Sequence, residues 1–272
     1  MERWRNKVAL VTGASAGIGA ACARGLVAAG MTVVGLARRH ERMLELKHSL
    51  PVEQQSRLHA VKCDITKEDN VFAAFKWTES TLGNVHVLVN NAGVIPTTEL
   101  CKEDNTAAIR SAIETNLMGT VFCTREAFKS MKAKNIEGHV ILINSVAGHQ
   151  VPNLGPDLPS LNIYPATKFA LRAMNEIYRQ EFQRNKTKVR ISSISPGIVN
   201  TDILPVDIQT VVKKCMPMLS AKDVANAVLW AISTPPNMQV IEKNANYCLQ
   251  YVFIYSIIQV HNIIIKPLGE KF

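Results

Sequence analysis

Short β-branched apolar runs alternate with helix-length stretches along most of the chain. The first run, Lys7-Val-Ala-Leu-Val-Thr12, is apolar without alternation, as expected of a strand buried on both faces. A glycine-rich turn from Gly13 to Gly19 follows it, then an alanine-rich helix to about Gly30, then a second strand, Met31-Thr-Val-Val-Gly-Leu36. This start predicts a parallel sheet covered by helices on both faces. The alternation continues with a strand over 57–63, a helix over 67–82 and the strand Val85-His-Val-Leu-Val-Asn90. A long helical stretch at 106–134 precedes the strand at 138–145. A loop rich in Pro, Gly and Asn spans 149–161, before a helix at 164–184 and a strand at 189–195. No linker, repeat or low-complexity block interrupts the pattern, so one domain is expected. The expected fold is a doubly wound α/β domain with strand order 3-2-1-4-5-6-7 and a ligand cleft along the carboxyl ends of the strands.

Composition narrows the function classes. At 272 residues, 47% hydrophobic and 19% charged, the chain can bury a full core and is not disordered. It carries 31 Lys+Arg against 22 Asp+Glu, a formal charge of +9. The basic residues are dispersed, with no run of five and no aromatic-interleaved stripe. That argues against nucleic acid as a partner and for small anionic ligands. The cysteines, Cys22, Cys63, Cys101, Cys123, Cys215 and Cys248, form no C-x-x-C and no His/Cys cluster of zinc spacing. They read as reduced core thiols in a cytoplasmic protein without a metal. The charged start, Met-Glu-Arg-Trp-Arg-Asn-Lys, leads into a strand and does not resemble a signal peptide.

Candidate chemistry lies at the strand ends. Thr12-Gly13-Ala14-Ser15-Ala16-Gly17-Ile18-Gly19 joins the first strand to the first helix. A turn there can bring backbone amides against a pyrophosphate at a helix N-terminus. Gly13 would permit the turn, Gly17 the close approach and Gly19 the helix packing; the bland alternative is a plain tight turn. The second strand ends in Ala37-Arg38-Arg39, where a site for the unphosphorylated dinucleotide wants Asp or Glu. Guanidinium suits a ribose 2′-phosphate, so NADP(H) is expected, with Arg38 first and Arg39 second. The alternative is two surface arginines at a helix start. Tyr164-Pro-Ala-Thr-Lys168 puts a phenol and an ammonium on one helix face. A nearby cation lowers a tyrosine pKa and fits it for proton exchange with an alcohol or carbonyl oxygen. An ordinary surface pair is the default reading of that spacing. Ser145 ends an apolar strand, where its bland role is a cap. Asn116 sits inside a helical stretch that it disfavours, which predicts a local kink.

In this order the TGASAGIG segment, Asn90-Asn91-Ala92-Gly93, Asn116, Ser145, Tyr164-x-x-x-Lys168 and Pro196-Gly197 resemble a short-chain dehydrogenase/reductase over about residues 5–235. Within that family the chain resembles the branch that holds farnesol dehydrogenases and dehydrogenase/reductase member 11. Met1-Glu-Arg-Trp-Arg, Cys123-Thr-Arg-Glu-Ala127, Ser145 to His149 and Ser233-Thr-Pro235 carry that likeness. The resemblance implies a Rossmann-type fold, Tyr164 as general acid/base, and Lys168 as the group that lowers its pKa and holds the nicotinamide ribose. It implies that Ser145 bonds the substrate oxygen and Asn116 holds a water linking Lys168 to solvent. Gly13, Ser15, Gly17, Ile18, Gly19, Asp64, Asn91, Gly93, Pro196, Gly197, Ile198 and Thr201 would line the cofactor site, with Asp64 at the adenine and Ile198 and Thr201 at the carboxamide. It further implies a lipophilic alcohol or carbonyl substrate, such as an isoprenoid alcohol or a steroid, and a homodimer or homotetramer formed through the long helices. A rival reading is a non-catalytic NADP-binding sensor or interaction module.

Two departures from the family pattern stand out. The Ser145-to-Tyr164 interval is long and carries Pro152, Gly155, Pro156 and Pro159, so it should shape the substrate entrance. His149 at its start reads as a loop residue, since no second metal ligand is spaced for it. At the other end, Met238-Gln-Val240 and Ile258-Gln-Val260 bracket about twenty residues ahead of His261-Asn-Ile-Ile-Ile-Lys-Pro267, which is expected to be the last strand. Residues 240–259 read as an insertion, either a retained in-frame intron or an isoform-specific segment, that could inactivate this form. Tyr247 to Ile265 is interrupted by Gln250, Gln259, His261 and Asn262, which argues against a membrane span.

Overall fold

Strand β1 (Val8–Thr12) is buried at every residue, as its unbroken apolar run requires. The computed structural model describes residues 1–153, 160–204, 208–211, 218–245 and 263–267. After β1 come α1 (Gly17–Ala28), β2 (Thr32–Ala37), α2 (His40–His48), α3 (Val52–Gln55), β3 (Leu58–Lys62), α4 (Glu68–Leu82) and β4 (Val85–Asn90). The expected long helical stretch is α5 (Thr106–Ile113), a π-helical turn (Glu114–Met118) and α6 (Gly119–Ala133). Then follow β5 (His139–Ile143), α7 (Tyr164–Arg184), β6 (Arg190–Pro196), α8 (Ala221–Ser233), β7 (Met238–Ala245) and β8 (Ile263–Pro267). The sheet order is β3-β2-β1-β4-β5-β6-β7-β8. The chain therefore forms the doubly wound α/β domain that the pattern predicts, with the order reversing between β1 and β4.

Each face of the sheet is sealed by its own apolar cluster. On one face α1 presents Cys22, Ala23, Leu26 and Val27 to Val224, Ala227, Val228 and Ala231 of α8. Gly25 lets the two helices close, because a Cβ there would lie 3.1 Å from Leu229 Cδ1. A capping box between Ser220 and Asp223 starts α8. On the other face Val71 and Phe75 of α4, Cys123 and Met131 of α6 and Phe182 of α7 cover Leu10, Leu88, Val140 and Leu142. Phe182 stacks on Phe128, with ring centroids 4.3 Å apart.

The structure corrects three expectations. The N-terminus does not run straight into β1: Glu2–Trp4 forms a 3-10 turn. Trp4 Nε1 donates to Ile232 O at 2.6 Å and Arg3 Nη2 to the same oxygen at 2.8 Å, so this turn docks on the end of α8. Cys22, Cys63 and Cys123 are buried, but Cys101 is exposed; Cys215 and Cys248 lie outside the described residues. The seventh strand is not 261–267 but Met238–Ala245, parallel to β6. The reason is local. The chain leaving α8 meets the β6 edge at once, and buried Arg190 donates to Met238 O at 2.6 Å while the Ser192 hydroxyl donates to Val240 O. His139, held neutral by a pKa that burial and Arg3 push down to about 3, bonds Ser192 at 2.9 Å. Residues 263–267 return antiparallel to β7 as an eighth, edge strand. Of the segment 240–259, residues 240–245 belong to β7 and 246–259 lie outside the described residues. Among the described residues no helix is long and apolar enough to cross a membrane.

Replacing Phe182 by Ala deletes a buried ring and its stacking contact with Phe128. The loss should be about 3–5 kcal/mol of stability, read as a lower urea midpoint at unchanged m-value.

Candidate functional site

The carboxyl ends of the parallel strands open into one cleft of about 1170 Å³. It brings together Gly13, Ser15, Gly17, Ile18, Arg38, Arg39, Asp64, Asn91, Gly93, Ser145, Tyr164, Lys168, Pro196, Gly197, Ile198 and Thr201. These residues come from the ends of β1 to β6 and the segments that follow them. Of the sequence-predicted site residues, Gly19 and Asn116 stand behind the lining.

The glycine turn is knitted to the end of β4. Thr12 Oγ1 accepts from the amides of Asn91 at 2.9 Å and Ala92 at 3.0 Å. Asn91 Nδ2 donates back to Thr12 O at 2.9 Å and Gly13 O at 3.3 Å. Gly13 has φ of +65°, and a Cβ there would lie 2.9 Å from Ala92 Cα. Behind it, a Cβ on Gly19 would lie 2.4 Å from Gly13 O, so the first turn of α1 packs closer to the loop than any side chain allows. At Gly17, with φ of +52°, a Cβ would lie 3.0 Å from Thr201 Cγ2, so the segment after β6 closes over the turn. Thr12 is a site residue that sequence reasoning misses. Its only signal there is a lone hydroxyl ending an apolar strand beside the glycines.

Arg38 and Arg39 are exposed at the end of β2. Arg39 Nη2 stands 3.5 Å from Ser15 Oγ, at the limit of a hydrogen bond. Asp64 closes its own turn after β3, with Oδ1 accepting from Thr66 N at 3.1 Å and Thr66 Oγ1 at 2.9 Å. The segment after β6 is tied down by Leu219, which donates to Ile198 O at 2.8 Å and accepts from Asn200 N at 2.9 Å.

Tyr164 begins α7, and Lys168 follows one turn later on the same face. Lys168 Nζ donates to Ile143 O at 2.8 Å and stands 5.5 Å from the Tyr164 ring centroid. Ser145 serves two purposes. Its Oγ caps a short 3-10 turn by accepting from Ala147 N at 3.1 Å, and it lies close enough to the Tyr164 phenol to lower that group's pKa. Burial pushes the Tyr164 phenol up to about 12, against a smaller lowering by Ser145. It pulls the Lys168 ammonium down to about 8. The spacing alone predicts a lysine that lowers the tyrosine. In the folded protein desolvation instead dominates the shift of both groups.

Asn116 lies in the π-helical turn, which is the kink predicted for it, and it is 1% exposed. Its Oδ1 accepts from Val94 N at 2.9 Å. Its Nδ2 donates to Val94 O at 3.1 Å and to Thr167 Oγ1 at 3.1 Å. Both amide hydrogens are thus committed to protein. His149 bonds Ser195 Oγ through Nε2 at 3.1 Å. Residues 154–159 of the long loop lie outside the described residues, while Gln150, Pro152, Asn153 and Leu161 line the cleft.

The two shifted groups have opposite effects on stability. Lys168 has a folded pKa below its unfolded value, so the unfolded state binds more protons between pH 8 and 10.5 and stability rises with pH there. Tyr164 has a raised folded pKa, so its contribution is lost as pH climbs from 10 toward 12. Lys168→Met removes the first effect. Urea midpoints should show the variant's advantage over the parent to be largest below pH 8 and smaller at pH 9.5.

Comparison with known proteins agrees with this geometry. The profile of the short chain dehydrogenase family matches residues 7–210. A farnesol dehydrogenase of Aedes aegypti is 44% identical over 272 residues, covering all of both chains. Dehydrogenase/reductase SDR family member 11 of Gallus gallus is 39% identical over 254 residues, covering 88% of this chain and 95% of that protein. Among solved structures, an alcohol dehydrogenase from the archaeon Thermococcus sibiricus, complexed with 5-hydroxy-NADP, superposes with a TM-score of 0.76. It is 26% identical and covers 91% of this chain and 99% of its own. With the family profile spanning three quarters of the sequence and its motif residues gathered in one cleft, the chain belongs to the short chain dehydrogenase family.

Proposed function

We propose that this chain is an NADP(H)-dependent oxidoreductase that interconverts an alcohol and a carbonyl on an apolar substrate. The observation that carries the reading is the meeting of Ser145, Tyr164, Lys168 and the glycine turn in a single cleft. When bound, NADP(H) supplies the hydride donor or acceptor.

The residues present fit such a group. The glycine turn offers backbone that a side chain at Gly13 or Gly17 would block, at the N-terminus of α1, whose dipole favours a pyrophosphate. No carboxylate ends β2. Two cationic heads stand there instead, suited to a 2′-phosphate. Asp64 lies at the far end of the cleft, beside the next strand, where an adenine would be met. Asn91 and Gly93 form the floor, Pro196 and Gly197 the turn off β6, and Ile198 and Thr201 the wall over the nicotinamide half.

Ser145 and Tyr164 hold the substrate oxygen between two hydroxyls. With a phenol near 12, Tyr164 carries its proton at neutral pH and donates it to a carbonyl oxygen during reduction. In the oxidative direction it takes the alcohol proton. The buried Lys168 ammonium over its ring stabilises the phenolate that this requires. Val94, Ile95, Leu161, Ile203 and Leu204 give the remaining wall an apolar part, beside the polar Thr97, Gln150 and Asn153, and that part suits a lipophilic chain. The likeness to a farnesol dehydrogenase supports an isoprenoid alcohol as the substrate class. Exposed Phe169 and Ile177 on α7 and Ile113 on α5 support self-association through these helices.

Tyr164→Phe should lower turnover of an apolar alcohol with NADP⁺ at least about a hundredfold, with the Kd for NADPH within about threefold of the parent. Steady-state kinetics with a fluorescence titration check both; retained turnover would take Tyr164 out of its role. In thermal unfolding, NADPH at a hundred times its Kd should add about 2.7 kcal/mol. NADH at the same concentration should add less, and Arg38→Asp with Arg39→Asp should erase the difference.

A further inference from the structure

The segment after β4 forms the substrate-side wall of the cleft through Val94, Ile95 and Thr97. Residues 91–98 form neither helix nor strand, so no backbone ladder holds this wall in place. Side-chain amides hold it instead. At its start, Asn116 takes both the N–H and the carbonyl of Val94. At its end, Asn162 Nδ2 donates to Thr98 O at 2.9 Å, to Thr98 Oγ1 at 3.0 Å and to Glu99 O at 3.3 Å. Asn105 secures the far side by donating to Glu99 O at 2.7 Å.

Both anchors lead to the same turn of α7. Asn116 donates to Thr167 Oγ1, and Thr167 Oγ1 donates to Tyr164 O at 2.7 Å. Asn162 stands two residues before Tyr164. Its Oδ1 accepts from Ile163 N at 2.6 Å, and its own N–H donates to Ser160 Oγ at 3.1 Å. Its backbone has φ of +50°, a left-handed conformation that asparagine adopts more readily than most residues. From that conformation the carboxamide reaches Thr98 and Glu99.

We propose that Asn162 is a positioning residue, which fixes the distance between the substrate wall at Val94–Thr97 and the phenol of Tyr164. The inference rests on the functional reading above and adds a specificity element to it. The Asn162 amide is the strut, with three acceptors on Thr98 and Glu99 just beyond the wall and one donor at Ile163, the residue before α7. If it is lost, the wall moves relative to Tyr164 while the nucleotide half, built on β1, β2 and β3, stays as it was. The substrate KM should then change far more than kcat or nucleotide affinity.

Two variants separate the strut from simple folding. Asn162→Asp keeps the left-handed backbone and the acceptor for Ile163, but replaces the donor by an oxygen facing two carbonyls. Asn162→Gly keeps the backbone without strain and deletes every side-chain bond. For a long-chain primary alkanol with NADP⁺, both should raise KM about tenfold or more, with kcat and the NADPH Kd within about twofold to threefold. Hydrogen exchange of the amides at 94–100 should quicken in both, while β1 and β4 amides keep their protection. Unchanged KM in both variants of an active enzyme overturns the strut. If the parent itself turns over no apolar alcohol, the functional reading fails, and hydrogen exchange still judges the strut: unchanged exchange at 94–100 overturns it.

Discussion

The close contact between the glycine turn and the end of β4 governs the geometry of the cleft. Gly13 and Gly19 allow main chain to pack on main chain, at distances where any Cβ would collide. Thr12 and Asn91 then lock the junction with four hydrogen bonds. These bonds replace solvent for groups that would otherwise be left unpaired at a sheet end. They set where α1 starts, and so where its free amides point. The same junction spends the Asn91 Nδ2 donor on structure, while Asn91 and Gly93 still form the floor of the cleft. Thr201 closing on Gly17 completes a narrow passage whose walls are backbone and small side chains.

The other half of the cleft is dominated by burial of charge. Lys168 is 5% exposed and holds its ammonium against a main-chain oxygen rather than a carboxylate. An unpaired cation in a low-dielectric wall is costly, which is why its pKa falls toward neutrality and why Lys168 weakens the fold at low pH. The Tyr164 phenol, desolvated in the same wall, keeps its proton. Stability is given up here for function, as often happens at functional sites.

A third theme is the use of asparagine where secondary structure stops. Asn91, Asn105, Asn116 and Asn162 each bond main-chain groups of another segment. A carboxamide offers two donors and an acceptor without charge, so it can tie irregular backbone at a buried strand edge without the desolvation cost of an ion. Together they make the rim of the cleft as well defined as the sheet that supports it.

Local chemistry was enough to reveal the alternation of buried strands and helices, the place of the glycine turn, the arginines ending β2 and the Tyr164–Lys168 spacing. Those features rest on periodicity, on backbone permissiveness and on charge, all of which a short window of residues expresses. The poor helix propensity of Asn116 announced the π-helical turn for the same reason. Tertiary structure alone decided which strand took the seventh place. Arg190, Ser192 and His139 select Met238–Ala245 through buried bonds that no spacing rule displays. It likewise decided the sign of the Tyr164 and Lys168 shifts, because desolvation depends on what the rest of the chain packs around a group. The bonding of Thr12, Asn116 and Asn162 across tens of residues also exists only once distant segments are brought to one edge of the sheet.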